Sequence, residues 1–242
     1  MLVKGNTKLG NIYNWSIPAI DSCVGSTELC RNICYACRGA YRFKSVDEAH
    51  MRNWVLSRTR HFVSSMVAFI WRKQIGVVRI HAAGDFDKVS YVRRWREIIK
   101  ACPDTQFYAY TRSWRKTDMT PIGLTEGLRE LALLPNMRLW LSCDRQTGRP
   151  PRWRRAPTAW LMLDDNDLPP YRVELAFRDS PDSLMMSAPQ VDQVCPYEMR
   201  AEKMKVSCES CKICFSGQRK VLKEFDSSKA AARRRGRKGA VA

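Results

Sequence analysis

The sequence predicts an α/β fold in which parallel strands form an incomplete barrel of the (β/α)6 type, followed by a cysteine-rich metal-binding segment. Six short stretches rich in β-branched and aromatic residues alternate with stretches of helical period, which is typical of right-handed parallel βα units. Clear helices become fewer late in the chain, so a closed barrel of eight strands is not expected. After Pro189 the alternation stops, and four cysteines follow in a stretch too short for its own core.

The first half of the predicted body contains two strands and one long helix. Residues 8–18 alternate apolar and polar side chains and end at a proline, which predicts a strand. A loop is expected over 19–43. Apolar residues at helical spacing then predict one helix over 45–73, with Ser45 or Asp47 as its cap. The β-branched residues that follow predict a strand over 77–82.

The second half continues the alternation and then loses its helices. The apolar side of residues 88–101, which includes Trp95, predicts a helix that buries this tryptophan. Apolar and aromatic runs predict the remaining strands and one further helix. The predicted strands are 106–111, 137–143, 159–163 and 172–177, and the predicted helix is 123–134.

Composition divides the chain into three parts: a barrel-like body over 1–189, a cysteine-rich metal segment over 190–218, and a basic tail over 219–242. The tail is expected to be disordered because it is a low-complexity run of alanine and basic residues. With 45% hydrophobic residues among 242, the body is expected to be globular. No apolar run is long enough to cross a membrane, and the first residues do not resemble a secretory signal.

The net charge of +18 favours a polyanionic partner. Nine basic and two acidic residues after Gln218 place +7 of this charge in the tail and leave +11 on the rest of the chain. Nucleic acid is the natural partner for such a body, since each neutralised phosphate releases counterions. Trp153, among arginines in a proline-preceded loop, is the best candidate for stacking on an exposed base. A protein that is merely basic and soluble is the alternative.

Ten cysteines without a secretory signal indicate metal binding in a reducing, cytoplasmic setting rather than disulfides. Cys30, Cys34 and Cys37 have the spacing C-x3-C-x2-C. Three thiolates on one loop can hold three corners of a four-iron cluster and leave the fourth iron open for chemistry. The alternative is a zinc knuckle, with Cys23 or a histidine as fourth ligand.

Cys30, Cys34 and Cys37 form a cysteine triad whose spacing resembles the cluster loop of the radical S-adenosylmethionine (SAM) enzymes. The resemblance covers roughly residues 10–180 and implies a [4Fe-4S] cluster that binds SAM and cleaves it to a 5'-deoxyadenosyl radical. That family usually has an aromatic residue directly before the third cysteine. Here Ala36 stands there, and Tyr35, one place earlier, is the candidate for the adenine contact.

A second motif of the family is a glycine-acid pair after the second strand, and Gly84 and Asp85 match it. The resemblance implies that the backbone at Gly84 and the carboxylate of Asp85 hold the methionyl ammonium of SAM. The alternative is that Asp85 caps the next helix. His81, Arg112, Ser142 and Asp144 lie at predicted strand ends, where a barrel mouth would bring them to SAM or substrate; each also has an ordinary structural or surface role as its alternative.

The second cysteine set, Cys195, Cys208, Cys211 and Cys214, has the spacing C-x12-C-x2-C-x2-C. Four thiols so placed predict either a structural zinc site or an auxiliary [4Fe-4S] cluster, and the spacing does not separate the two metals.

Together these features predict a radical SAM enzyme that acts on a nucleic acid or nucleotide. Its compact size resembles small phage- and plasmid-encoded members, among them isomerases that rearrange amino-acid adducts on thymine during DNA hypermodification. Such an enzyme implies an electron donor of the flavodoxin or ferredoxin kind and, if phage-encoded, the host cytoplasm. One alternative is a non-enzymatic nucleic-acid-binding protein with two structural zinc sites. Another is SAM-dependent methyl or thio transfer in which the second cluster participates.

Overall fold

The computed structural model of the chain describes residues 1–5, 8–164, 166–178, 190–198 and 206–216. Within these residues, one seven-stranded sheet has its strands in chain order. The strands are β1 (Val3–Lys4), β2 (Tyr13–Trp15), β3 (Val77–Ile80), β4 (Gln106–Thr111), β5 (Met137–Cys143), β6 (Thr158–Met162) and β7 (Leu175–Arg178). Strand β1 pairs antiparallel with β2, and every other neighbouring pair is parallel. The predicted α/β class with a mostly parallel sheet is confirmed.

Helices connect the early strands and become rare later. The helices are α1 (Glu28–Asn32), α2 (Lys44–Leu56), α3 (Phe62–Lys73), α4 (Val89–Ala101), α5 (Leu124–Ala132), α6 (Cys208–Cys211) and α7 (Ile213–Ser216). Short 3-10 turns cover Tyr35–Cys37 and Gly39–Arg42. The described residues between β5 and β6, and between β6 and β7, contain no helix, as the sequence predicts.

The predicted long helix over 45–73 is wrong, because the chain breaks it into α2 and α3. The Ser57 hydroxyl donates to the Trp54 carbonyl at 2.6 Å, and the Thr59 hydroxyl donates to the Leu56 carbonyl at 2.9 Å. These side chains compete for carbonyls that end α2. The predicted caps are also wrong: α2 begins at Lys44, and the residue before it makes no capping side-chain bond.

Two further predictions need correction near the start of the chain. The strand predicted over 8–18 is limited to Tyr13–Trp15, and the antiparallel β1 strand precedes it. The loop predicted over 19–43 contains helix α1 and both 3-10 turns. By contrast, the strands predicted over 106–111 and 137–143 are confirmed at both ends.

The two faces of the sheet carry different side chains, because successive residues of a strand point to opposite sides. One face packs against α3, α4 and α5 and forms the main core, in which Trp95 is fully buried as predicted. The other face, called the second face below, presents Arg79, Tyr108, Tyr110 and Trp140.

Residues 206–216 of the cysteine-rich segment cover part of this second face. The indole N–H of Trp140 donates to the Cys214 carbonyl at 2.8 Å, and the rings of Tyr108 and Phe215 lie 5.9 Å apart. The Cys208 amide donates to the Lys8 carbonyl at 2.7 Å. Residues 206–216 therefore pack directly on β4 and β5 instead of forming a separate core.

Two predicted features, the boundary at Pro189 and the tail over 219–242, lie outside the described residues. In the part that is described, no helix has both the length and the apolar character that a membrane span requires.

Candidate functional site

The cysteine loop lies across the carboxyl ends of the parallel strands, the edge at which open α/β sheets bind ligands. Residues after β4 and β5 hold it there. Arg115 donates from Nη1 to the Gly25 carbonyl at 2.8 Å, and the Thr117 hydroxyl donates to the Val24 carbonyl at 2.8 Å. These bonds fix the loop just before its first predicted ligand.

Asp144 is the central anchor of the loop, and only 1% of its surface is exposed. Its Oδ2 accepts from the Thr27 hydroxyl at 2.7 Å and from Arg112 Nε at 3.2 Å. Thr27 is also the N-cap of α1, and its hydroxyl oxygen accepts a hydrogen bond from the amide of Cys30 at 3.0 Å. The carboxylate after β5 therefore orients the backbone of the first triad cysteine through one intervening hydroxyl.

Asp85 joins the ends of β3 and β4. One carboxylate oxygen accepts from the Thr111 hydroxyl at 2.6 Å and the Phe86 amide at 2.7 Å, and the other accepts from the Arg112 amide at 2.8 Å. Burial raises the pKa of Asp85, while these hydrogen bonds oppose that rise. Helix α4 begins at Val89, so the alternative in which Asp85 caps the next helix is wrong.

Gly84 allows a close approach, but to the protein's own chain. Its φ is +81°, and a Cβ there would lie 2.5 Å from Cγ1 and 2.8 Å from the carbonyl oxygen of Ile17. The Ile17 amide donates to the Ala83 carbonyl at 3.1 Å. Glycine is therefore required where the end of β3 meets the chain leaving β2.

The loop thiols lie close enough to influence one another, and all ten cysteines of the chain carry free thiols. Burial raises the pKa of Cys34 to about 11, with Cys37 and Cys30 as raising neighbours. Burial also raises the pKa of Cys30, and the charge of Arg112 opposes that rise. Cys23, the proposed fourth ligand of the zinc alternative, has its pKa raised by burial, by Asp85, and by Cys30 and Cys34.

Tyr35, within the loop, and Arg112, just after β4, contribute polar groups to this site. The Tyr35 hydroxyl donates to the Ala82 carbonyl and accepts from Arg79 Nη2 at 3.3 Å. The Nη2 of Arg112 is buried and has no hydrogen-bond partner among the described residues. Ser142, near the end of β5, is half-buried, and its carbonyl accepts the indole N–H of Trp114 at 3.2 Å.

His81 does not face the strand-end site, which corrects the sequence-based expectation. Its ring lies in an aromatic cluster, with Nε2 2.9 Å from the Tyr91 hydroxyl and the ring centroid 4.5 Å from that of Phe86. Burial, with the charge of Arg79, lowers the pKa of His81 to about 3. The imidazole is therefore neutral and structural.

The four C-terminal cysteines line one cavity of about 10 Å³, roughly the room that one water-sized sphere needs. Burial raises the pKa of Cys211 to about 11 and that of Cys214 to about 12. Cys195 precedes a turn anchored by Glu198, which pairs with Lys8. The sequence set Cys195, Cys208, Cys211 and Cys214 is thus brought together in space.

Neither cysteine set is assembled as a metal cage. Among the residues that the structure describes, no group of three or more His, Cys, Asp or Glu side chains is arranged to hold a metal ion. The donors nevertheless fit the expected groups in kind and number. Three thiols lie on one loop beside an unpartnered guanidinium nitrogen, and four line one cavity.

The predicted nucleic-acid contact at Trp153 is placed in a loop, as expected. Its indole is half-buried and packs against the core, while Arg152 and Arg154 are exposed. Trp114, in another basic-aromatic run, is buried. The arginines of the Trp153 loop are therefore better placed for phosphate contact than its tryptophan is for stacking.

Comparison with known proteins identifies the family. The sequence model described as Gene product 88 (GP88) matches residues 1–217. The chain belongs to the Gene product 88 family. The Gene 88 protein of Mycobacterium phage L5 is 28% identical over 235 residues, which cover 90% of this chain and 89% of that protein. The Gene 88 protein of Mycobacterium phage D29 is 33% identical over 121 residues, which cover 45% of this chain and 50% of that protein. No solved structure matches.

In this Gene product 88 family member, the matched range includes both cysteine sets and ends before the basic tail. Sequence patterns did not reveal the anchors that hold the cysteine loop, namely Thr27, Arg115 and Thr117. No periodicity marks them, because each acts through a single backbone or carboxylate contact. Arg79, which donates to the hydroxyl of Tyr35 in the cysteine loop, could have been noticed from the sequence. It places a cation between Val78 and Ile80 in an otherwise apolar strand.

Proposed function

We propose that this chain is a radical SAM iron–sulfur enzyme in which Cys30, Cys34 and Cys37 hold a [4Fe-4S] cluster. When bound, the cluster supplies the electron that cleaves SAM to a 5'-deoxyadenosyl radical. One observation carries the proposal: the three-thiol loop is anchored at the carboxyl edge of a parallel sheet whose strands follow chain order. Six successive parallel strands support the incomplete barrel as the finer description of that sheet.

The residues around the loop suggest how SAM would be held. The unpartnered Nη2 of Arg112 suits a carboxylate, because a charge-assisted bond would satisfy a buried donor. Asp144 keeps that guanidinium in place through Nε. Asp85 has both oxygens engaged, so in this proposal it contributes by positioning the Arg112 backbone, and Tyr35, Gly84 and Ser142 line the same edge.

The substrate is proposed to be DNA or a nucleotide, and the reaction an isomerisation of an amino-acid adduct on thymidine. The net charge of +18 supports a polyanionic substrate, and the relatives come from Mycobacterium phages. A flavodoxin or ferredoxin would deliver the electron in the host cytoplasm. Cys195, Cys208, Cys211 and Cys214 would hold zinc or a second [4Fe-4S] cluster.

Anaerobic purification tests the proposal directly. The wild-type protein should be brown, contain iron and sulfide, and release 5'-deoxyadenosine from SAM when dithionite is added. Cys34→Ala should lose this product, because two thiolates hold an open cluster poorly. Cys102→Ala, which removes a thiol from the main core, should retain it. A colourless wild-type protein with zinc in both sites would overturn the proposal and favour a nucleic-acid-binding protein.

A further inference from the structure

Arg79 is a half-buried cation whose buried Nε is unpartnered among the described residues. It points from β3 onto the second face, with its guanidinium carbon 5.8 Å from the centre of the Tyr110 ring. Its Nε has no hydrogen-bond partner in the described chain, and its Nη2 donates to the Tyr35 hydroxyl. No Asp or Glu among the described residues pairs with it. Leaving the buried part of a charged guanidinium unpaired is costly, so a compensating anion is expected.

The thiols of the cysteine-rich segment are the groups that can supply this anion. Cys208, Cys214 and Tyr110 pack in one cluster around Tyr108, and the Tyr110 ring lies 5.8 Å from the guanidinium carbon of Arg79. These thiols therefore lie on the same part of the second face as Arg79. Lys8, a second cation near these thiols, is already paired with Glu198. Arg79 has no carboxylate partner among the described residues.

We propose that Cys195, Cys208, Cys211 and Cys214 bind one metal centre as thiolates, and that Arg79 is the positioning residue that balances its charge. The inference rests on the second metal site of the proposed function. On binding, each thiol releases its proton to solvent. A zinc ion, or an oxidised four-iron cluster, carries two positive charges, so four thiolates leave the centre doubly negative. The guanidinium offsets part of that charge, and the thiolate centre in turn supplies Arg79 with the anion that no described carboxylate provides.

Arg79 also connects this centre with the cysteine loop. Its Nη2 donates to the Tyr35 hydroxyl at 3.3 Å, and that hydroxyl donates to the Ala82 carbonyl at the end of β3. Tyr35 lies between two triad cysteines in the chain. A change in charge at the C-terminal centre would therefore act on the loop through one arginine.

The test isolates the second site by removing the first. In a chain carrying Cys30→Ala, Cys34→Ala and Cys37→Ala, anaerobic purification should still yield one metal centre, identified by mass spectrometry and absorption. Adding Arg79→Met should weaken metal retention against a competing chelator by about 10- to 100-fold, the range found for residues that support metal ligands. Arg79→Lys keeps the charge and should restore most of the affinity. Arg72→Met is the control, since Arg72 is exposed and lies over the Phe69 ring at 5.9 Å.

Each outcome has a definite consequence. A triad-free chain that contains no metal would overturn this inference, while SAM cleavage by the wild-type protein would still be decided separately. Equal chelator resistance of the Arg79→Met and parent proteins would show that Arg79 does not balance the centre. If Arg79→Met does not fold, Arg79→Gln replaces it, and equal affinity of the Gln and Lys variants would refute the role of charge.

Discussion

Replacing Asp144 with alanine should destabilise the protein strongly, because it leaves a buried cation without its partner. The Arg112 side chain is 13% exposed and that of Asp144 is fully buried. Removing one member of such a pair typically costs about 3–5 kcal/mol. The Thr27 hydroxyl loses its acceptor as well. Against a typical total of about 5–15 kcal/mol, this loss is a large fraction of the free energy of unfolding.

Urea denaturation, followed by tryptophan fluorescence, measures the effect from the shift in midpoint at constant slope. Glu130→Ala is the control, because its pair with Arg96 has side chains 46% and 39% exposed and should contribute less than about 1 kcal/mol. Adding Arg112→Met to Asp144→Ala removes the orphaned charge and should recover part of the loss. The ion pair is not the cause if Asp144→Ala loses no more stability than the control, or if the double variant is simply additive.

Three further predictions concern other parts of the chain. Gly84→Ala should lower the free energy of unfolding by about 2–5 kcal/mol, because a positive φ and a 2.5 Å approach to Ile17 act together. Gly39→Ala, at φ +54° with open space around it, should lose only the backbone part, about 1–2 kcal/mol. Equal shifts of the two urea midpoints would refute the clash. The pKa of buried His81 is lowered to about 3, so below about pH 6.5 the unfolded chain binds a proton at this residue and the folded chain does not. The free energy of unfolding should therefore be highest above about pH 6.5 and fall by about 2 kcal/mol between pH 7 and pH 5. His81→Gln should therefore flatten the pH dependence of the unfolding free energy, and an unchanged slope would contradict the neutral assignment. Deleting residues 229–242 removes six basic side chains and should reduce the salt slope of duplex DNA binding by several units if the tail contacts phosphates; an unchanged slope would exclude that role.

The sequence was most informative where one element packs on one surface. Strand β4 alternates Phe107 and Ala109 with Tyr108 and Tyr110, and its bounds were predicted correctly because both faces are buried by different partners. The same reasoning failed at Ser57, where local hydroxyl bonds to the backbone end α2 inside an apolar pattern that continues. The spacing of hydrophobic residues shows which face of an element is buried, but it does not reveal a single hydrogen bond between a side chain and the backbone.

The cysteines proposed as metal ligands could be predicted from the sequence, but the residues that hold the cysteine loop in place could not. Spacing alone singled out both cysteine sets, because short separations force thiols together. The role of Asp85 could not be inferred in the same way. Its partner Thr111 ends a different strand and Arg112 follows it, and only the register between β3 and β4 brings them to its carboxylate. The packing of residues 206–216 on the second face was likewise invisible, since these short helices have no period of their own.

The agreement between strand order and chain order has a consequence for biosynthesis. As the polypeptide leaves the ribosome, each new parallel strand finds its neighbour already made, so the sheet can grow from one edge without waiting for a distant segment. Residues 206–216, which pack on the second face, are the exception because they are translated after every strand that they contact. Until they emerge, the nascent sheet exposes Tyr108, Tyr110 and Trp140 to water. Ribosome-bound chains that stop before residue 206 would therefore be natural clients for chaperones that bind aromatic surfaces.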